Sequence, residues 1–360
     1  MDNRRQISPT IYTPVHVACA VVFAVFSFVY IYHYQCDILT YTQSVLSEGK
    51  THFNRGVGAF LITLVLYLTQ RGINAMVRLY ARAHAISFFP SMLILAFITD
   101  APSDLSGGYV MGHWAWVLPL SLCLFIGVVW LCRQIQPFEP VSGGLLPFMR
   151  PLWINIWTMV ALMVMVCMCS NSDTLFHYQL RMEQQMVKGR YDKVLKTGAK
   201  YRAVNAEMMQ MRAMAMAMRG ELGERFFHYP VTDSRSGLVP DEGKQTKILP
   251  VNALSNVARH DSLATEYQMI ENLRQRQIER FAKEAIHRYP DSIFPRHYKE
   301  AMVIYDDVYE KAVVTDTALM LRYRDYKYAV ARLRKENKSP KLLKKYFGDS
   351  YWFYYEFGPK

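Results

Sequence analysis

Cysteine is missing from the second half of this chain, and charge is scarce in the first. All six cysteines (Cys19, Cys36, Cys123, Cys132, Cys167 and Cys169) fall before residue 170. Residues 171–360 therefore offer neither a disulfide framework nor a thiolate metal site, and a cysteine-free domain suits an oxidising compartment. Cys167 and Cys169, two apart at a helix end, read as small membrane residues. Residues 1–170 carry nine Lys/Arg and six Asp/Glu, against thirty-three and twenty-four in 171–360. The formal charge of +12 thus divides into +3 and +9. A mean hydropathy near zero averages two unlike halves.

The patterns of familiar chemistry are missing too. The ten histidines form no HxxxH or HExxH pair, which excludes a zincin. There is no Gly-rich phosphate loop, GxSxG elbow or CxxC. Asp306, Asp307 and Glu310 share one helix, but neighbouring positions face different directions and a charged surface explains them. Asp100 and Asp104 are lone acids, too common in kind to mark a transferase. No catalytic, cofactor-binding or metal-ligating residue is assigned, no cofactor is expected, and the chain is read as a non-enzyme.

What the first half has is long apolar runs. A helix crossing the hydrocarbon needs about 20 mainly apolar residues. Five candidates stand at about 11–34, 52–70, 83–99, 113–132 and 151–169. The first is too long for a signal-peptide core, and no small-x-small site follows it, so it is read as an uncleaved span. Tyr30, Tyr32, Tyr34, Trp114, Trp116, Trp130, Trp153 and Trp157 sit where aromatic belts form. Pro90 and Pro119 are candidate kinks in spans three and four. With the N-terminus inside, the inner segments hold Arg4, Arg5, Arg71, Arg78, Arg82, Arg133 and Arg150. The outer loops hold only Lys50 and Arg55. That bias sets the N-terminus in the cytoplasm and, after five spans, the C-terminal domain outside it. His16 and His84 lie near span ends, and no ionisable group sits deep in a span, which disfavours a transporter.

The second half reads as helices. Asn171-Ser-Asp-Thr offers cap chemistry for a helix to about Lys188. Gly189-Arg-Tyr-Asp-Lys-Val-Leu then resembles the turn of a tetratricopeptide repeat. Gly220-Glu-Leu-Gly-Glu-Arg-Phe repeats it 31 residues later, pairing Tyr191 with Leu222 and Leu195 with Phe226. Between them a helix at about 205–219 is Met-rich, which fits packing on both sides; a soft-metal strip or an adaptable peptide groove is the sharper alternative, and the missing His and Cys neighbours argue against copper. Residues 229–251 read as a loop. Helices are expected again at about 262–288, from about Pro295, at about 315–337, and from Ser339. The closing Tyr351-Trp-Phe-Tyr-Tyr-Glu-Phe has three readings: docked in the core, laid on the membrane interface, or stacked on a ligand.

The stretches 180–195, 205–230, Ser236-Gly-Leu and 344–358, with SFFPSMLILAFITD in the membrane half, resemble a family of multi-pass membrane proteins of unknown function from Bacteroidales-type bacteria. Members carry a tetratricopeptide-like C-terminal region. The resemblance implies an inner-membrane location and a bacterial source, and it carries over no functional residue.

The fold expected is all-α: a five-span transmembrane bundle over 1–170, then a soluble tetratricopeptide-like domain over 171–360, on the periplasmic side. The function expected is a membrane-anchored helical-repeat scaffold for protein–protein interaction in the envelope. Its partners are the lipid bilayer and an envelope protein, with no nucleic acid. Tyr178, Arg181, Arg212 and Arg219 are the candidate groove residues that bind the partner. The alternative is a membrane enzyme acting on a lipid-linked envelope substrate, with a carboxylate-bearing pocket between spans two to four.

Overall fold

A computed structural model of the chain describes residues 9–79, 82–102, 111–135, 149–201, 203–232, 236–240, 247–249, 253–289, 293–337 and 339–359; of these, the side chains of 9–13, 261 and 262 are not described. Its described residues are all-helical, and five helices are long and apolar enough to cross a membrane. The chain divides into two compact units, 1–177 and 178–360, with the division inside one helix.

In the first unit, α1 (Pro9–Val29) passes through a π-helical turn (Tyr30–Gln35) into α2 (Cys36–Leu46). The sequence reading ended this span at Tyr34, because Gln35 and Asp37 look like the start of a loop. Both are instead buried, so the helix runs on. In α3 (Arg55–Val77) the first orphan N–H groups are capped by Asn54, whose Oδ1 accepts from Gly56 and Val57 at 3.1 and 3.2 Å. At its other end, Arg133 donates to the carbonyls of Met76 and Val77. Span three is a 3-10 segment (His84–Phe88) leading into α4 (Phe89–Thr99). Pro90 sits in the first turn of α4, where its missing N–H breaks no helical bond, so it is not a mid-span kink. The spans are completed by α5 (Trp114–Ile135), with Pro119 inside, and α6 (Met149–Cys169).

The bundle is apolar outside and partly polar inside. Leu120, Leu124, Ile126 and Trp130 of α5 are all more than 60 % exposed, whereas Gln70, Ser87, Ser91 and Asn155 are buried. Where hydrocarbon is the solvent, a backbone or side-chain polar group has nowhere else to bond. Gln70 Nε2 donates to Ser87 Oγ at 2.9 Å, Ser91 Oγ to the Leu66 carbonyl at 2.8 Å, and the Ala85 amide to Asn155 Oδ1 at 2.6 Å.

The second unit follows ordinary aqueous logic. Asp173 caps α7 (Thr174–Val187), accepting from Leu175 N at 2.9 Å. The chain continues through α8 (Tyr191–Lys196), α9 (Ala206–Ala217), α10 (Leu222–Arg225) and α11 (Ala253–Ala258). The helix expected at 262–288 is two, α12 (Asp261–Arg274) and α13 (Ile278–Arg288), packed on each other. The turn between them is made by Arg276 at φ 58°. No Gly or Pro marks it, so the sequence pattern runs straight through. After α14 (Arg296–Tyr309) come α15 (Thr317–Lys335), α16 (Lys341–Phe347) and α17 (Tyr351–Phe357).

One turn recurs. Gly189, Gly220 and Arg276 all have φ near +60°. Each donates to the carbonyl three residues back, and the next residue donates five back. This left-handed helix ending satisfies the last carbonyls and is open mainly to glycine. Six residues beyond each turn, Leu195, Phe226 and Ala282 are buried.

The aromatic ending docks in the core of this unit. Tyr351 and Trp352 are at most 1 % exposed. The hydroxyls of Tyr351 and Tyr354 donate to the carbonyls of Leu273 and Arg274 at 2.9 and 2.8 Å, capping α12. In return Arg276 donates to the carbonyls of Tyr354, Tyr355 and Gly358, capping α17.

Candidate functional site

The four candidate groove residues all lie in the second unit but do not form one surface. Tyr178 is half-buried, its ring 5.3 Å from that of Tyr201. It also covers Gly198, where a Cβ would stand 3.2 Å from the tyrosine ring. Arg212 approaches the same glycine from within: its Nη2 donates to the Gly198 carbonyl at 2.9 Å and the Thr197 carbonyl at 3.3 Å. It is 1 % exposed, with the guanidinium 5.2 Å over the Tyr229 ring. Burial pulls its pKa below the usual arginine value. Nε and Nη1 find no acceptor among the described residues. Arg212 is therefore a core residue, not a groove lining. Its helix, α9, is buried on nearly every side, so no periodicity distinguishes an outer face. Arg219 stands apart at the Gly220 turn, paired with Asp192 and Glu221. Arg181 is half-buried on α7.

Two described parts of the 229–251 segment, 236–240 and 247–249, are held by side chains of other elements. Glu183, 2 % exposed, accepts the backbone N–H groups of Lys247, Ile248 and Leu249 at 3.1, 2.5 and 3.2 Å. Burial pushes its carboxyl up, and those three donors pull it back. Gln210 Nε2 donates to the Gly237 carbonyl at 2.8 Å, and Leu238 N to Glu271 at 3.3 Å. These partners are tens of residues apart, and nothing in the sequence signals them.

A second cluster, with buried Glu300 and His297 at its centre and exposed His228 at its edge, forms where α14 meets the C-terminal segment. Glu300, fully buried, accepts from His297 Nδ1 at 2.9 Å, Arg296 Nε at 3.1 Å and Tyr351 N at 2.7 Å. Arg296 also reaches Asp349 at 2.8 Å and His228 Nε2 at 3.0 Å. Burial and the neighbouring His297 and Arg296 hold the His228 pKa down at about 4. Among the described residues, no group of three or more His, Cys, Asp or Glu is placed to hold a metal.

In the membrane unit two polar features escaped sequence reasoning. The rings of His16 and His84 lie 3.8 Å apart. A signal existed: each lies near the start of its span, and alternate spans begin on the same membrane side. At the other end the π-helical turn anchors a knot. Tyr30 hydrogen-bonds Ser170, Gln35 Nε2 donates to the Tyr30 hydroxyl at 2.9 Å, and Asn171 Nδ2 donates to the Ala101 carbonyl at 2.9 Å. The Tyr32 carbonyl, within the π-helical turn, accepts from Arg55, which sits 4.5 Å over the Tyr32 ring. Beside this knot lies a cleft of about 730 Å³, lined by Leu39, Leu46, Phe53, Ile62 and Phe97 with Thr42, Gln43 and Ser47. No carboxylate lines it among the described residues. Asp100 is held by Trp114 Nε1 at 2.8 Å and His113 at 3.3 Å. Asp104 lies outside the described residues.

Compared with known families, residues 112–260 and 245–358 match a family of unknown function, DUF6057. The chain belongs to this family. The match covers α5, α6 and all but the last two residues of the second unit. Comparison with curated proteins gave no match, and comparison with solved structures gave none either.

Proposed function

We propose that this membrane protein is an anchored helical scaffold. The five spans hold it in the inner membrane of a bacterium, with the second unit on the periplasmic side, where it binds another envelope protein. The recurring helix–turn–helix geometry supports this reading most directly. Three turns of one kind, at Gly189, Gly220 and Arg276, each have a buried position six residues on, and the first two stand 31 residues apart, close to the period of a tetratricopeptide-like stack. With Arg212 withdrawn into the core, a partner would be met at separate points, at half-buried Tyr178 and Arg181 on α7 and at Arg219 beside the Gly220 turn. Photo-crosslinking residues placed at these three positions in intact cells are expected to capture one discrete envelope protein, whereas a residue at Lys283 captures none. Position-independent capture, or none, overturns the reading. A reporter fused after Lys360 is expected to be active outside the cytosol and silent within it.

A second reading, an enzyme for a lipid-linked substrate, draws on the shape of the cleft, while the carboxylate expected of it does not line the cleft among the described residues. Its volume suits an acyl or prenyl chain, and Thr42, Gln43 and Ser47 in its lining suit a headgroup. A photoreactive lipid analogue that labels Leu46 or Phe53, together with turnover lost on Gln43→Ala, would favour this reading over the scaffold.

A further inference from the structure

Residues 317–347 hold ten Lys/Arg and two Asp/Glu, a surplus of eight in a chain whose total is twelve. They include α15 and α16, and α15 seats only its Tyr326 and Val330 deeply in the second unit. Counterions within the unit occupy part of this charge. Lys327 pairs with Asp307, Arg332 with Glu336, Arg334 with Glu356, and Arg322 lies 3.9 Å from Asp349. Arg324, Lys335, Lys341, Lys344 and Lys345 make no ion pair among the described residues and are exposed.

The same face exposes large apolar groups. On α15, Met320, Arg324, Tyr328 and Lys335 follow helical spacing along one side, with Met320 46 % and Tyr328 78 % exposed. On α16, Leu342 and Tyr346 stand one turn apart, 69 % and 62 % exposed, beside Lys341 and Lys345. Solvation alone explains lysines; it does not explain Leu342 and two tyrosines held out in water among them. Cations interleaved with Tyr and Leu are what an interfacial helix uses, apolar groups entering the acyl boundary while cations meet headgroups.

We propose that α15 and α16 form a docking face for an anionic phospholipid surface. Charge complementarity selects an anionic partner. The exposed Leu342, Tyr328 and Tyr346 select a bilayer over a nucleic acid, whose phosphates give Leu342 nothing to bury against. A bilayer is also a surface that a membrane-embedded chain always has at hand.

The test uses the full-length protein in phosphatidylcholine nanodiscs. Vesicles of phosphatidylcholine, alone or with about 30 % phosphatidylglycerol, are added, and amide hydrogen exchange is followed; a second set carries the phosphatidylglycerol in the disc itself. Exchange across 317–347 is expected to slow only with phosphatidylglycerol, in at least one of the two arrangements, and to recover in high salt. Arg324→Gln, Lys335→Gln, Lys341→Gln and Lys344→Gln are each expected to weaken vesicle association by about fivefold. The buried amides of α12 to α14 serve as the fold control and should not change. Exchange that ignores phosphatidylglycerol in both arrangements overturns the proposal. So does protection that appears only when a DNA oligonucleotide is added, which reassigns the face to nucleic acid.

Discussion

Both units bury polar side chains, but for opposite reasons. In the membrane unit Gln70, Ser87, Ser91 and Asn155 point inward because lipid offers them no partner, and the bonds they make there are between neutral groups. In the second unit Glu183, Arg212 and Glu300 are ionisable groups taken out of water, each gripping backbone or charged partners across long stretches of chain. Hydrocarbon rewards any polar pair that faces in. Water rewards burial of a charge only as far as its new partners offset the lost hydration; Arg212, whose Nε and Nη1 meet no acceptor among the described residues, is offset only in part.

The comparison breaks most sharply at Trp352. Trp352→Ala removes a fully buried indole and its 2.7 Å bond to the Glu300 carbonyl. It is expected to cost the second unit about 3–5 kcal/mol, which thermal unfolding in detergent should show as roughly 10 °C. The spans should keep their helicity. Glu183→Ala is expected to cost about 2–3 kcal/mol, because three backbone N–H groups lose a buried acceptor. The readout is faster hydrogen exchange at 247–249 and new protease cleavage within 229–251. A smaller effect follows pH. The native His228 takes its proton near pH 4, while the unfolded chain takes it near 6.5. Stability of the second unit is therefore full above about pH 6.5 and falls as pH drops toward 4. His228→Asn should flatten that slope. The smallest effect belongs to the membrane unit. Ser91→Ala deletes a buried bond yet is expected to cost only about 0.6 kcal/mol, the average for such bonds in bilayers. A loss as large as that of Glu183→Ala would erase the contrast between the two solvents.

How far the sequence could be read follows the same division. The five spans were legible because a run of some 20 apolar residues matches the thickness of a bilayer and far exceeds what a buried strand or short core helix needs. The caps at Asp173 and the Gly189 and Gly220 turns were legible because each depends on residues within one turn. The docked aromatic ending was one of three readings of its composition, and only its partners Leu273, Arg274 and Glu300 decide among them. The Arg276 turn was illegible because an arginine there carries no turn signature. Arg212 was misread as surface because a helix buried all round gives a charged residue no polar face to belong to. The link from Glu183 to 247–249 spans more than sixty residues and involves backbone amides, which no side-chain pattern encodes.

The π-helical turn at Tyr30–Gln35 carries one more lesson, about phase. Each residue advances an α-helix by about 100°, so a wide turn resets which residues look inward for the rest of that rod. Gln35, Asp37 and Tyr41 face protein because of the reset. Trimming a single residue there is expected to restore regular winding and turn α2, Asp37 included, by about 100° against its neighbours. That one insertion works as a rotary offset, and removing it should harm the molecule more than most exchanges of one side chain for another.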